Sequence, residues 1–218
     1  MKAIIFDLDG VVVNTAKYHY LAWKKLAKEL GFEFDVAHNE RLKGVSRMES
    51  LNIVLEVGGI TGYSEEKKNE LANRKNGYYL SMIEKLDQSE ILPGIPEFLE
   101  RIRKAGYKTA LGSASKSGGM ILEKLGLMPM FDVVVDGNLV ERPKPDPEVF
   151  TKAADLLGIP YEKCIVVEDA KAGVEAAHAG RMKCIGIGNP EILGAAEKVV
   201  GSTDPYTDRK STRLNSSH

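Results

Sequence analysis

Ala3-Ile4-Ile5-Phe6-Asp7-Leu8-Asp9-Gly10 decides the fold. Four apolar residues followed at once by two carboxylates and a glycine describe a short strand, buried on both faces, that ends in a polar turn. Asp7 and Asp9 then lie past the carboxyl end of that strand, where open α/β sheets collect their ligands. Carboxylates so close repel one another and raise a pKa unless a cation stands between them. Read alone, the pair is equally an Asp-Gly turn with no chemistry. The rest of the chain has to separate the two readings.

Downstream of Pro93-Gly94 the texture is regular. Ile95 to Ala105 reads as a helix burying Phe98, Leu99 and Ile102, and Gly106 stops it. The runs 108–111, 132–135, 164–167 and 183–187 read as strands, with helices over 119–125 and 170–179 between them. Asp146 is expected to cap a further helix, with Pro147 in its first turn and Phe150, Ala153, Ala154 and Leu157 on its inner face. This alternation predicts an α/β fold, a doubly wound parallel sheet with right-handed crossovers.

One segment breaks the alternation. From Thr15, read as an N-cap, to Asp87 the pattern is helical and strand-free, with Leu26, Leu51, Val54, Leu71 and Ile83 among its apolar anchors. The expected organisation is a core begun by residues 1–14, an inserted α-helical cap domain over 15–87, and the rest of the core over 88–201. Residues 11–15 and 84–92 would form the hinge. Residues 202–218 are expected to be a disordered or non-native tail, because their polar, aperiodic end replaces the helix such a sheet normally finishes on.

Composition narrows the setting. The 218 residues are 43% hydrophobic and 28% charged, as in ordinary globular proteins. A formal net charge of -1 supplies no basic field for nucleic acid or an anionic membrane. No apolar run is long enough to span a bilayer, and a carboxylate-bearing first strand argues against a cleaved leader. Cys164 and Cys184, both inside apolar runs, read as small buried hydrophobes rather than a disulfide or metal pair. A cytoplasmic protein is expected.

Polar residues gather at the predicted strand ends: Asp7 and Asp9, then Ser113 with the backbone of Ala114, then Glu168 and Asp169; Lys144 stands before a helix. Each has an ordinary alternative. Ser113 could cap a helix, Lys144 could be a solvated loop lysine, and Glu168-Asp169 could favour a helix start. Their coincidence at one sheet edge favours chemistry. Three carboxylates with a backbone carbonyl suit a hard cation of the Mg²⁺ type, and a lysine with oriented N–H groups suits a phosphoryl group.

In this order Phe6-Asp7-Leu8-Asp9-Gly10, Ser113, Lys144 and Glu168-Asp169 resemble the four motifs of the haloacid dehalogenase-like phosphotransferases, and the helical insertion is similar to that superfamily's cap. Thr15-Ala16-Lys17-Tyr18-His19, Trp23, Leu42-Lys43-Gly44-Val45-Ser46-Arg47, Arg74-Lys75-Asn76 and Ser113-Ala114-Ser115-Lys116 further resemble its sugar-phosphate mutase branch. The resemblance implies that Asp7 is the nucleophile toward phosphorus and Asp9 the general acid/base, assisted by Lys144, Thr15 and His19. It implies Mg²⁺ held by Asp7, the Asp9 backbone carbonyl, Glu168 and Asp169. Substrate and phosphate contacts are implied for Gly44, Val45, Ser46, Arg47, Lys75, Ser113, Ala114, Ser115, Lys116 and Trp23. Arg47, Ser115 and Lys116 would take the phosphate far from the metal. The implied cycle converts β-glucose 1-phosphate through β-glucose 1,6-bisphosphate to glucose 6-phosphate, in a monomer whose partners are small sugar phosphates. Asn14 and Ser117 depart from the branch pattern, which favours an acidic residue and an amide there. A sugar-phosphate phosphatase of the same superfamily shares the core residues, and a receiver module would instead be a single domain without a cap.

Overall fold

The computed structural model describes residues 2–203. The first strand, β1 (Ala3–Phe6), leads into a helical insertion of α1 (Ala16–Glu29), α2 (Val36–Glu40), α3 (Arg47–Val57) and α4 (Glu65–Ile83). The chain then alternates through α5 (Ile95–Lys104), β2 (Lys108–Gly112), α6 (Gly118–Lys124), β3 (Val133–Val135) and α7 (Glu148–Leu157). It closes with β4 (Cys164–Glu168), α8 (Lys171–Ala179), β5 (Lys183–Ile187), α9 (Pro190–Leu193) and β6 (Lys198–Val200). All neighbours pair in parallel, in the order β3-β2-β1-β4-β5-β6. β6 and α9 are additions to the expected pattern. A three-residue strand in Lys198-Val199-Val200 is too short to show a period, and only pairing with β5 defines it.

The alternation of β1 distributes its side chains as a central strand must. Ile4 and Phe6 enter one core with Leu99 and Ile102 of α5 and Ile121 and Leu122 of α6. Ala3 and Ile5 enter the other with Val149, Phe150, Ala153 and Ala154 of α7 and Val174 and Ala177 of α8. Helices that follow β1 and β2 thus cover one face, and those that follow β3 and β4 cover the other. The winding direction reverses between β1 and β4, which opens a crevice beyond their carboxyl ends.

The insertion has a core of its own, including Trp23, Leu26, Leu51, Val54 and Leu71. Two crossing segments join it to the sheet and pair with each other. Leu92 N–H donates to the Val12 carbonyl at 3.0 Å and Asn14 N–H to the Glu90 carbonyl at 2.8 Å.

Two capping expectations need correction. Thr15 occupies the N-cap position of α1, but its hydroxyl makes no cap bond there. Pro147, not Asp146, stands at the N-cap of α7, while Asp146 accepts from Glu148 N–H at 2.9 Å just ahead of the helix. For the expected tail, all but residues 202 and 203 lie outside the described residues. No described helix is long and apolar enough to cross a membrane.

Gly173 shows how tightly α8 sits on β4. A Cβ there would lie 2.0 Å from Glu168 Oε1. Helix propensity alone credits Gly→Ala with a gain of about 1 kcal/mol. Gly173→Ala is expected to destabilise instead, by about 1–3 kcal/mol, because Glu168 must move off its partners. Urea unfolding of the two proteins decides the sign.

Candidate active site

The site is assembled at the crevice between β1 and β4. Asp7, directly after β1, donates its N–H to the Val167 carbonyl at 2.9 Å, so strand pairing fixes its position against β4. Glu168 ends β4 and is fully buried. Lys144 comes from the loop before α7, and its Nζ lies 2.7 Å from Asp7 Oδ1 and 2.6 Å from Glu168 Oε1. The solvated-lysine alternative is therefore excluded, since Lys144 is only 3% exposed. Glu168 also accepts from Ala170 N–H at 2.8 Å, so the helix-start alternative describes part of its work.

Charge is short on the positive side. Burial pulls the Lys144 ammonium down, but Asp7 and Glu168 together outweigh it and hold the group above the ordinary lysine range. Burial raises Asp7 well above the usual carboxylate range against the pull of Lys144, with Glu168, Asp9 and Asp169 adding to the rise. Asp169 is pushed up to about 7, by burial first and Glu168 second. Its nearest cation is Lys43 Nζ at 3.7 Å, reaching down from the insertion. Gly10 lets the chain close here: it has φ +85°, and a Cβ would lie 2.3 Å from Asp169 Oδ2.

Carboxylate oxygens of Asp7, Glu168 and Asp169 can lie within 4.8 Å of one another. Three hard oxygen donors with too little compensating charge fit Mg²⁺. These residues would hold the ion, and it would supply charge for a phosphoryl group. The Asp9 carboxyl is not in that cluster. It accepts a short hydrogen bond from the Thr15 hydroxyl, and burial raises its pKa in spite of that bond.

Ser113 is fully buried at the end of β2, where its hydroxyl accepts from Ser115 N–H at 3.1 Å rather than capping α6. Ser115 in turn accepts from Ser117 N–H at 3.3 Å. This turn sets residues 114–116 at the edge of a cavity of about 470 Å³ that reaches from Asp7 and Asp9 to the insertion. Ala114, Ser115 and exposed Lys116 line it from the sheet side.

Gly44, Val45, Ser46 and Arg47 line it from the insertion. The Ser46 hydroxyl is committed to capping α3, accepting from Glu49 N–H at 3.2 Å. Arg47 is the first residue of α3 and is partly buried. From α4 comes Lys75, 2% exposed, with Nζ 4.6 Å from the Trp23 ring centroid and 2.8 Å from His19 Nδ1. Trp23 both packs in the insertion's core and borders the cavity. Burial, then Lys75 and Arg47, holds the His19 imidazole well below its usual range. A neutral ring accepting from Lys75 at Nδ1 carries its proton on Nε2, which lies 3.8 Å from Asp9 Oδ1.

Thus the cavity touches Asp7, Asp9, His19, Trp23 and Lys75, while Thr15, Ser113, Lys144 and Glu168 support it from behind. Lys43 and Tyr79 border the same space without having drawn a role from the sequence. Tyr79 follows Lys75 by four residues, so helical spacing alone puts both on one face of α4.

Fold and site together define a phosphoryl-transfer enzyme class with a carboxylate-rich crevice. A family profile described as haloacid dehalogenase-like hydrolase matches residues 1–181, and the chain belongs to that family. The β-phosphoglucomutase of Bacillus subtilis (strain 168) is 41% identical over 208 residues, covering 95% of this chain and 92% of that protein. The crystal structure of β-phosphoglucomutase from Clostridium difficile superposes with a TM-score of 0.88 at 41% identity, covering 99% of each chain. A phosphorylated carbohydrates phosphatase of Thermotoga maritima is 31% identical, covering 85% of this chain and 84% of that protein.

Lys75 carries a measurable pH signature. Burial, helped by Arg47, lowers its pKa from 10.5 to about 7. Above pH 7 the unfolded chain still binds at Lys75 a proton that the folded chain has released, so the contribution of this group to stability rises with pH, by up to about 1.4 kcal/mol per pH unit. Removing this contribution, Lys75→Met is expected to make the slope of stability against pH less positive than in the parent protein between pH 7 and 8.5. Denaturant unfolding without Mg²⁺ measures both.

Proposed function

We propose that the chain is a β-phosphoglucomutase that interconverts β-glucose 1-phosphate and glucose 6-phosphate through an aspartyl phosphate on Asp7 and β-glucose 1,6-bisphosphate. The observation that carries this reading is the two-ended cavity. Its floor has the Asp7, Lys144 and carboxylate crevice, and its roof has Arg47, Lys75 and His19. A monophosphatase needs only the floor. A sugar with a phosphate at each end needs cationic groups at both. The close similarity to two β-phosphoglucomutases supports the same substrate.

In this reading Asp7 attacks phosphorus, splitting one transfer into two. Asp9 gives a proton to the departing sugar oxygen and takes one from the incoming hydroxyl, and its raised pKa suits both tasks. Thr15 and His19 hold that carboxyl, and Lys75 fixes the His19 ring. Lys144, the Ser113 hydroxyl and the Ala114 N–H face the transferring oxygens. Asp7, Asp9 through its carbonyl, Glu168 and Asp169 hold Mg²⁺. Gly44, Val45, Ser46 and Trp23 shape the sugar space, and Arg47, Ser115 and Lys116 take the distal phosphate. Residues 15–87 act as the cap over a core of 1–14 and 88–201, excluding water while the sugar reorients. We place the enzyme in the cytoplasm as a monomer, with no partner beyond sugar phosphates.

The test supplies β-glucose 1-phosphate, Mg²⁺ and a trace of bisphosphate, and follows glucose 6-phosphate and free phosphate together. Glucose 6-phosphate without matching free phosphate is expected. Stoichiometric free phosphate alone would establish the phosphatase instead. Asp7→Asn should abolish both turnover and phosphoenzyme. Arg47→Ala should still form phosphoenzyme from acetyl phosphate but slow the mutase step about tenfold to a hundredfold. Loss of phosphoenzyme in Arg47→Ala would refute this division of labour.

A further inference from the structure

Tyr79 is a large buried side chain at the wall of the cavity whose hydroxyl has no hydrogen-bond partner. The residue is 1% exposed, and its hydroxyl is buried with no hydrogen-bond partner. Such a group costs stability in a folded protein and calls for an explanation. The ring has a clear role: it stacks on His19 with centroids 3.9 Å apart and planes 23° apart, and it carries Lys75 Nζ 5.2 Å from its centroid. Phenylalanine would serve equally for both contacts. The oxygen is the unexplained part.

Its surroundings define what could bond to it. Tyr79 lies on α4 and borders the cavity together with Arg47 of α3 and Ser115 of the loop after β2. Burial, followed by the Asp9 charge, raises its pKa, so the phenol is a donor at every physiological pH. Ser115 and Arg47 act on it in the opposite sense, which places both close by, yet no bond of acceptable geometry joins Ser115 to the hydroxyl. A phenol O–H, a guanidinium and a serine hydroxyl around one space supply donors from three sides. The ligand atom they match is an acceptor with negative charge and no proton of its own to place.

We infer that the Tyr79 hydroxyl is a substrate-binding group that donates a hydrogen bond to a phosphate oxygen of the sugar phosphate, on the side of the cavity lined by Arg47 and Ser115. This deepens the reading of the chain as a sugar-phosphate mutase and rests on it. The geometry has a second consequence. Tyr79 reaches from the helical insertion toward a sheet-side loop, so a phosphate bonded to Tyr79, Arg47 and Ser115 ties the insertion to the core. The buried hydroxyl is unsatisfied while the cavity is free of ligand and satisfied when ligand arrives, so binding relieves its desolvation cost.

Tyr79→Phe separates this role from packing, because it removes one oxygen and keeps the ring on His19. The ligand is glucose 6-phosphate, titrated calorimetrically with Mg²⁺ and without any phosphoryl donor, so no turnover occurs. The expected result has two parts of opposite sign. Ligand-free Tyr79→Phe should melt at or above the temperature of the parent protein, since an unpartnered buried hydroxyl has gone. Its dissociation constant for glucose 6-phosphate should rise about tenfold to a hundredfold, the range for a hydrogen bond to a charged group. The thermal shift that glucose 6-phosphate induces should shrink with it. Affinity within twofold of the parent would overturn the inference. So would a lower ligand-free melting temperature, which would mean that the hydroxyl already has a structural partner. If the parent protein itself fails to bind glucose 6-phosphate, the mutase reading falls and takes this inference with it. Binding by the parent with no loss in Tyr79→Phe removes the inference alone.

Discussion

The Lys144 ammonium, wedged between Asp7 and Glu168, is the contact on which the rest of the site depends. It joins residues 137 and 24 positions apart in the chain, so it forms only when β1, β4 and the loop before α7 have all reached their places. Breaking a buried pair by removing one partner typically costs about 3–5 kcal/mol, because a charge is left uncompensated. Here one cation faces two carboxylates directly, and Asp169 stands nearby. The deficit is built in. The fold holds carboxylates together more closely than their own charge permits, and glycines at 10 and 173 let the backbone approach them. That excess of negative charge is what makes the crevice receptive to a divalent cation and, through it, to a phosphoryl group.

The helical insertion has the opposite imbalance. Arg47 lowers the proton affinity of Lys75, both lower that of the His19 imidazole, and among the described residues no carboxylate is paired closely with Lys75. Its ammonium is instead seated over Trp23 and hydrogen-bonded to His19. A cation-rich wall opposite a carboxylate cluster that would itself hold a divalent cation suits a ligand with an anionic group at each end.

How far this could be read from the sequence differs between the two walls. The sheet was legible because β1, β2, β4 and β5 are apolar runs punctuated by glycine and polar residues, signals that depend on neighbours in the chain. β6 was not, since Lys198-Val199-Val200 has strand character only through β5. Lys144 illustrates the limit more sharply. Nothing local distinguishes Arg142-Pro143-Lys144-Pro145 from a solvated loop, and the lysine stood out only through its coincidence with the other strand-end groups and the family resemblance they carry. The hydroxyl of Thr15 was legible as a cap but is drawn to Asp9, where tertiary position outweighed local preference. Tyr79 escaped because an aromatic at helical spacing reads as core, which its ring indeed is.

The Asp9 neighbourhood shows why the two walls have to be considered together. Thr15 bonds its carboxyl from the crossing segment, and His19 Nε2 approaches from the first turns of α1. His19 is held by Lys75 at one nitrogen and by Tyr79 across its face. The chain of contact therefore runs from the cavity roof, through Lys75 and His19, to the carboxyl that is suited to move a proton. A dianion beside Arg47 would favour protonated Lys75, strengthen its hydrogen bond to His19 Nδ1, and so fix the imidazole N–H toward Asp9. On the proposed reading, proton transfer at one end of the cavity is in this way tied to occupancy at the other. On that reading, a protein whose roof lacked Arg47 and Lys75 could keep the same floor chemistry, but its acid/base group would not distinguish a bound sugar phosphate from water.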